Sequence, residues 1–277
     1  MKGAGSLMMH SPMGQHHPAT TTINSIPGAI HLWPVWTWLA RQDIKARYRG
    51  SFLGPLWLVL NLGILVGGLS LVYGAVFDQP LHIYAPYLTA GFLTWWFISG
   101  TIIDSCAAFT ANSQLIRNQP LPIGIYVLQV ITRHSLLLAH NLLVFIVVAL
   151  IFGLRPNLAT LLVIPGFAGV AAILATSGLS LAIICARFRD IPHFVTNILQ
   201  IAMLVTPIMF FKSMLGSRAA LAQFNPFFHL VDAIRSPLMG EAPGISTWGF
   251  LVLANILSAL FAFWLMRRAG HRVAYLV

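Results

Sequence analysis

The chain has 277 residues, 58% of them hydrophobic and only 8% charged, with a formal net charge of +10. So little polar surface cannot clothe a water-soluble globule, and lipid is the expected solvent for most of the chain. The basic excess does not point to nucleic acid, because Lys and Arg are scattered between apolar runs instead of gathered on a soluble domain.

Residues 1–30 are rich in His, Pro, Thr, Ser and Met and lack the apolar core of a signal peptide, so a flexible cytoplasmic tail is expected. His10, His16 and His17 lie in this irregular tract, which has no metal-ligand spacing, and no metal site is assigned. From 31 to 50 the pattern changes. Trp33, Trp36, Ala40 and Ile44 fall near one helical face, while Arg41, Lys45 and Arg49 share another, with Arg47 beside them. Tryptophans on one side and cations on the other describe an amphipathic interfacial helix drawn to anionic headgroups.

Six apolar runs follow that are long enough to span a bilayer, giving an all-α polytopic membrane protein. They are expected at Phe52 to Phe77, Tyr87 to Phe109, Ile125 to Phe152, Leu158 to Ala186, Phe194 to Phe211 and Thr247 to Met266. Both cysteines, Cys106 and Cys185, fall in or at the edge of these runs and read as small buried hydrophobes. Twelve of the sixteen Lys and Arg residues lie on one side of a six-span arrangement, which puts both termini in the cytoplasm. Small residues recur at helix-packing intervals: Gly63, Gly67 and Gly74 in the first span, Ala168, Ala172, Thr176 and Ser180 in the fourth. Asp104, Arg133, His134 and His140 with Asn141 are ionisable or polar groups within spans, open to internal pairing or to contact with a lipid pyrophosphate.

The segment Arg41-Gln-Asp-Ile-Lys-Ala-Arg-Tyr-Arg-Gly-Ser-Phe-Leu-Gly-Pro-Leu-Trp57 closely resembles the opening signature of type-2 ATP-binding-cassette permeases that export O-antigen, capsule or teichoic acid. The chain is similar to that family at three further places in order: Asn118 to Pro122, Ala186 to Pro192 and Asn225 to Arg235. The stretch Arg47 to Pro55 looks closer to the O-antigen type than to capsule permeases.

The resemblance implies a permease domain over 31–277, forming a homodimer around a central channel. Two copies of a separate nucleotide-binding subunit would power it and hold ATP and magnesium. This chain has no Gly-x-x-x-x-Gly-Lys-Ser/Thr loop of its own. Arg187, Arg189 and Asp190 match the place of a coupling contact to that ATPase, and the N-terminal interfacial helix is implied as another; Asn118 to Pro122 either meets the ATPase side or only turns the chain. Gate helices are implied between spans five and six, with Phe224, Phe227, Phe228 and His229 as external gate residues. For a glycan path, aromatic rings suit the C–H faces of sugars, and Trp57, Tyr73, Phe92, Trp95 and Trp96 are the lining candidates.

Two other functions compete. One is an exporter of the same architecture carrying a drug or lipid. The other is a membrane enzyme acting on polyprenyl or phospholipid substrates, which should cluster catalytic carboxylates or histidines near one face. The six acids of this chain are dispersed along the sequence.

Overall fold

A computed structural model describes residues 25–270 except Pro55 and Pro120, and every regular element among them is helical. In chain order the helices are α1 Ser25–His31, α2 Trp33–Arg47, α3 Leu56–Val76, α4 Leu81–Cys106, α5 Ala108–Ala111, α6 Ser113–Asn118 and α7 Gly124–Ile151. They continue as α8 Val163–Arg187, α9 Ile191–Val205, α10 Ala219–Gln223, α11 Pro226–Leu238 and α12 Ile245–Ala269, with 3-10 turns at Leu158–Leu162 and Lys212–Arg218.

Most of the expected tail lies outside the described residues; its last positions form α1, where Ala29 is fully buried. The expected interfacial helix is α2. Pro34 sits in its first turn, where an N–H would have no intrahelical partner. Both α1 and α2 pack on α7.

Four elements are long and apolar enough to cross a membrane: α3, α7, α12 and the run Leu158–Arg187 that joins a 3-10 turn to α8. Even α3, the shortest at 21 residues, reaches about 32 Å, enough for a hydrocarbon core of about 30 Å. The expected second span is α4, 26 residues long and buried almost continuously from Tyr84 to Ile98. Its neighbours are protein, so it tolerates hydroxyls. Thr89, Thr94, Ser99 and Thr101 each return a hydrogen bond to the carbonyl four residues earlier, leaving no open donor in lipid.

The expected fifth span, Phe194 to Phe211, is helical only as α9. Fifteen residues rise about 22 Å, too short to cross alone. The helix ends at Thr206, which is extended (ψ 134°), because Pro207 has no N–H and excludes a helical residue before it. Residues 206–211 continue as irregular chain packed on α4.

The bundle closes on small residues. In α8, Gly166 lies directly against the Ala233 carbonyl of α11, where a Cβ has no room, and Gly178 lies against Ser105 of α4. Thr176 shares a hydrogen bond with Ser258 of α12 at 2.7 Å, so the fourth span's small-residue stripe meets α12 at Thr176, while its Ala168 and Ala172 are exposed. On α3 only Gly74 is enclosed, by Leu81 and Tyr84, while Gly63, Gly67 and Gly68 face open space.

Candidate functional site

Two polar knots organise the molecule, one at each end of the bundle, the first partly buried and the second built on the buried Arg235. The first lies toward the end that carries Arg187, Arg267 and Arg268. Arg133 of α7 donates from Nη1 to Asp43 Oδ2 of α2 at 2.5 Å and from Nη2 to Asp104 Oδ2 of α4 at 2.8 Å. His134 Nε2 lies 2.8 Å from the same Asp104 oxygen, and Gln129 Nε2 donates to Asp43 Oδ2 at 2.8 Å. The Arg133 side chain is 15% exposed and each carboxylate 29%. Opposite charges this sheltered hold one another firmly, and removing one partner would strand the rest.

His134 fits because Gly100 faces it; a Cβ there would come within 2.6 Å of the ring. Beside His134 is a cavity of about 130 Å³, also lined by Trp96, Phe97, Leu137 and the buried Asn141. Of the two readings open for Asp104, Arg133 and His134, the structure shows internal pairing. His140 bonds locally to the Leu136 carbonyl. Asp43 was not legible as their partner, since it lies 90 residues from Arg133 within a segment whose visible pattern is cationic.

The outer surface of α2 keeps Arg41, Lys45 and Arg47 exposed, with Arg49 exposed just beyond it. Its tryptophans are divided. Trp33 and Trp38 are about three-fifths exposed, whereas Trp36 is half-buried and donates from Nε1 to the Ala29 carbonyl at 3.1 Å. The face of Trp36, Ala40, Asp43 and Ile44 therefore turns inward, with Ala40 completely buried.

At the same end, α8 and α9 are separated by only Phe188, Arg189 and Asp190, with no helix between them. Arg187 is exposed with its guanidinium 5.6 Å from the Phe188 ring centroid, and Asp190 occupies the N-cap position of α9 without a side-chain cap. Arg189 lines a groove of about 410 Å³ with Cys106, Thr110, Ser113, Cys185 and Pro192. The short helical material at this end is α5 and α6, which the sequence left as part of span two and a connection. Both cysteines are buried and free.

The second knot holds the irregular segment 206–211 at the opposite end. Arg235 of α11 is 5% exposed; its Nη1 donates to the Pro207 carbonyl and to Tyr87 Oη at 2.8 Å, and its guanidinium stands 4.4 Å from the Tyr87 ring centroid. The Tyr87 hydroxyl is 2.9 Å from the Pro207 and Phe210 carbonyls, and Tyr84 donates to the Met209 carbonyl. Carbonyls of the irregular segment that follows α9 are thus captured by side chains, as irregular backbone at membrane depth requires.

Asn225 starts α11 in the same knot: its Oδ1 accepts from Phe227 N at 2.9 Å as an N-cap, and its Nδ2 donates to Thr206 Oγ1 at 2.9 Å. Asp232 accepts from Ser236 and from Thr247 of α12.

The aromatic and gate candidates are dispersed. Trp57 is 45% exposed on the outside of α3, and Tyr73 is half-buried beside Phe77. Phe92 and Trp95 are buried in the core, Trp95 edge-on to Phe227 at 5.6 Å. Trp96 is half-buried at the small cavity. Phe228 and His229 are buried, His229 bonded to Thr247 and to the Gln223 carbonyl, whereas Phe224 is 84% exposed.

The first knot does bring Asp43, Asp104 and His134 together at one end of the bundle, but both carboxylates are paired with Arg133. A helical membrane bundle with polar knots of this kind at both ends has the character of a transporter subunit. The model of the ABC-2 type transporter family matches residues 34–239, about three-quarters of the chain, and the chain belongs to that family. It is similar to the O-antigen export system permease protein RfbA of Klebsiella pneumoniae, 22% identical over 247 residues that cover 88% of this chain and 95% of that one. It is also similar to the protein of the same name from Myxococcus xanthus, 26% identical over 205 residues covering 72% and 77%. The chain is therefore a multi-pass transporter permease.

Proposed function

We propose that this chain is the membrane-spanning subunit of an ATP-driven exporter that carries polyprenyl-linked polysaccharide of the O-antigen type from the cytoplasm across a bacterial inner membrane. The observation that carries the reading is the similarity, along nearly the whole chain, to permeases named for O-antigen export.

The working unit is a homodimer with two copies of a cytoplasmic nucleotide-binding subunit, which holds ATP and magnesium. An outward face of α3 supports the second copy. Asn61, Gly67 and Gly68 are exposed on it, and a polar side chain with adjacent glycines on an apolar helix suits a helix partner better than lipid. Trp57, exposed on the same helix, and Tyr73, half-buried near its other end, would then be the aromatics nearest a path between the copies.

Twelve of the sixteen Lys and Arg residues favour the end bearing Arg187 and both termini as the cytoplasmic one. Exposed Arg41, Lys45, Arg47 and Arg49, with Trp33, suit anionic headgroups there. The ATPase surface combines Arg187, Arg189 and Asp190 with α6 across the intervening groove. Charge-assisted hydrogen bonds at such a surface fix the register between two proteins. Nucleotide that binds the closed ATPase pair more tightly than the open one supplies the bias for transport.

The test is deletion of the gene in its host, with polyprenyl-linked glycan measured inside the cell and polymer at the surface. Internal accumulation with surface loss, restored by a plasmid copy, is the expected result. Unchanged surface polymer contradicts the glycan assignment, and loss of synthesis without accumulation favours an enzyme.

A further inference from the structure

Two of the six acids in the whole chain converge on one arginine, and they arrive from helices far apart in sequence. We propose that Asp43 is a positioning residue: through Arg133 it clamps α2 to α7 and to the last turn of α4, so that force from the ATPase on α2 or α6 reaches both spans together. The inference rests on the exporter reading above.

Three features carry it. First, one oxygen of Asp43 receives both Arg133 and Gln129, which stand four residues apart on α7. Two donors stacked on one helical face fix α2 in height and rotation. Second, the other arm of Arg133 reaches Asp104, which lies two residues before the end of α4, and α4 passes through Ala107 into α5 and α6. The knot thus joins the cationic helix α2 to the root of the short helices at the same end, though more than sixty residues separate Asp43 from Asp104.

Third, the other restraints on α2 are apolar packing on α7 and one hydrogen bond, from Trp36 to Ala29 of α1. Its only fully buried residue is Ala40. Its covalent link to α3 contains Gly50 and Gly54, both in the left-handed region (φ +83° and +51°), with nothing within 4 Å of either prospective Cβ. Such a link transmits little force, whereas ion pairs sheltered from water do not yield to screening as surface pairs do. The ion-paired connection of α2 to the bundle is therefore the Asp43–Arg133–Asp104 bridge.

The test uses the permease with its ATPase partner in lipid nanodiscs for exchange measurements and in proteoliposomes for transport. Asp43→Asn is compared with Asp43→Glu, and with an Asp43→Cys, Gln129→Cys pair before and after reaction with a short bifunctional thiol reagent; Cys106 and Cys185 are buried and stay in place.

In Asp43→Asn the amides of residues 33–47 should exchange about tenfold faster, as local opening loses the clamp. Lipid-linked polysaccharide moved per ATP hydrolysed should fall by about fivefold or more, with the ATPase itself still active. Asp43→Glu should keep most of the coupling, and the cross-link should restore it to the cysteine pair. A role in stability alone would lower ATPase, assembly and transport in parallel and gain nothing from the cross-link.

Unchanged exchange in Asp43→Asn overturns the clamp, and lost protection with an unchanged transport ratio overturns its part in coupling. If Asp43→Asn does not assemble, Gln129→Ala carries the same test through the second donor, with the same two outcomes. A wild-type complex that hydrolyses ATP and moves no lipid-linked polysaccharide would sink the exporter reading, while the exchange experiment would still decide the clamp.

Discussion

The knots at the two ends of the bundle each shelter an arginine, and they solve different problems. Arg133 is matched by two carboxylates on other helices, so its knot joins α2, α4 and α7 as bodies. Arg235 makes no ion pair among the described residues; it is spent on a backbone carbonyl and a phenol, and with Tyr84 and Tyr87 it shapes one irregular segment. The first arrangement can carry force between helices. The second satisfies carbonyls of the irregular chain that follows α9, and so makes a short helix with a non-helical continuation tolerable in a membrane.

This contrast ranks the effects of substitution. Arg235→Leu should be the most damaging, because it leaves a buried carbonyl and a hydroxyl without their donor; about 3 kcal/mol of stability should be lost, seen as a lower unfolding midpoint in detergent. Exchange should quicken at 206–211 and not at 33–47; the reverse pattern would erase the distinction between the knots.

Gly100→Ala acts on the other knot by driving a Cβ into the His134 ring, at a cost of about 1–3 kcal/mol for overpacking. Its exchange signature should appear around Asp104 and α2, leaving the segment at Pro207 unchanged. Smallest is Phe224→Ala, at an exposed site near the second knot: stability should stay within about 0.5 kcal/mol, so any transport defect there would mark a role in the path or gate.

Much of this fold was legible in the sequence because bilayer thickness sets a length that apolar runs must meet. The runs beginning at Phe52, Ile125, Leu158 and Thr247 correspond to α3, α7, the Leu158–Arg187 run and α12, with ends shifted by a few residues. The span expected from Tyr87 starts six residues earlier, after Pro80. Its polar residues dilute the apolar signal, and they are admissible only because the helix is wrapped by protein.

The expected helix to Phe211 stops at Val205, and Pro207 was the readable sign of it. Asn225-Pro226 was likewise readable as a helix start. The pairings were not. Nothing local in the sequence says that Asp43 faces Arg133, that Trp36 turns inward to Ala29, or that Arg235 seeks the Pro207 carbonyl, because those depend on how separate helices meet. Which aromatics line a path depends in the same way on a second copy of the chain.

The most direct test of the account reconstitutes the permease with its ATPase partner in proteoliposomes and follows a polyprenyl-linked polysaccharide from the ATP-accessible face to the other. Appearance of the glycan on the far side that requires ATP, and that stops when the partner's ATP site is inactivated, is the predicted result. Movement that is indifferent to ATP, or ATP hydrolysis with no movement of the glycan, would contradict it.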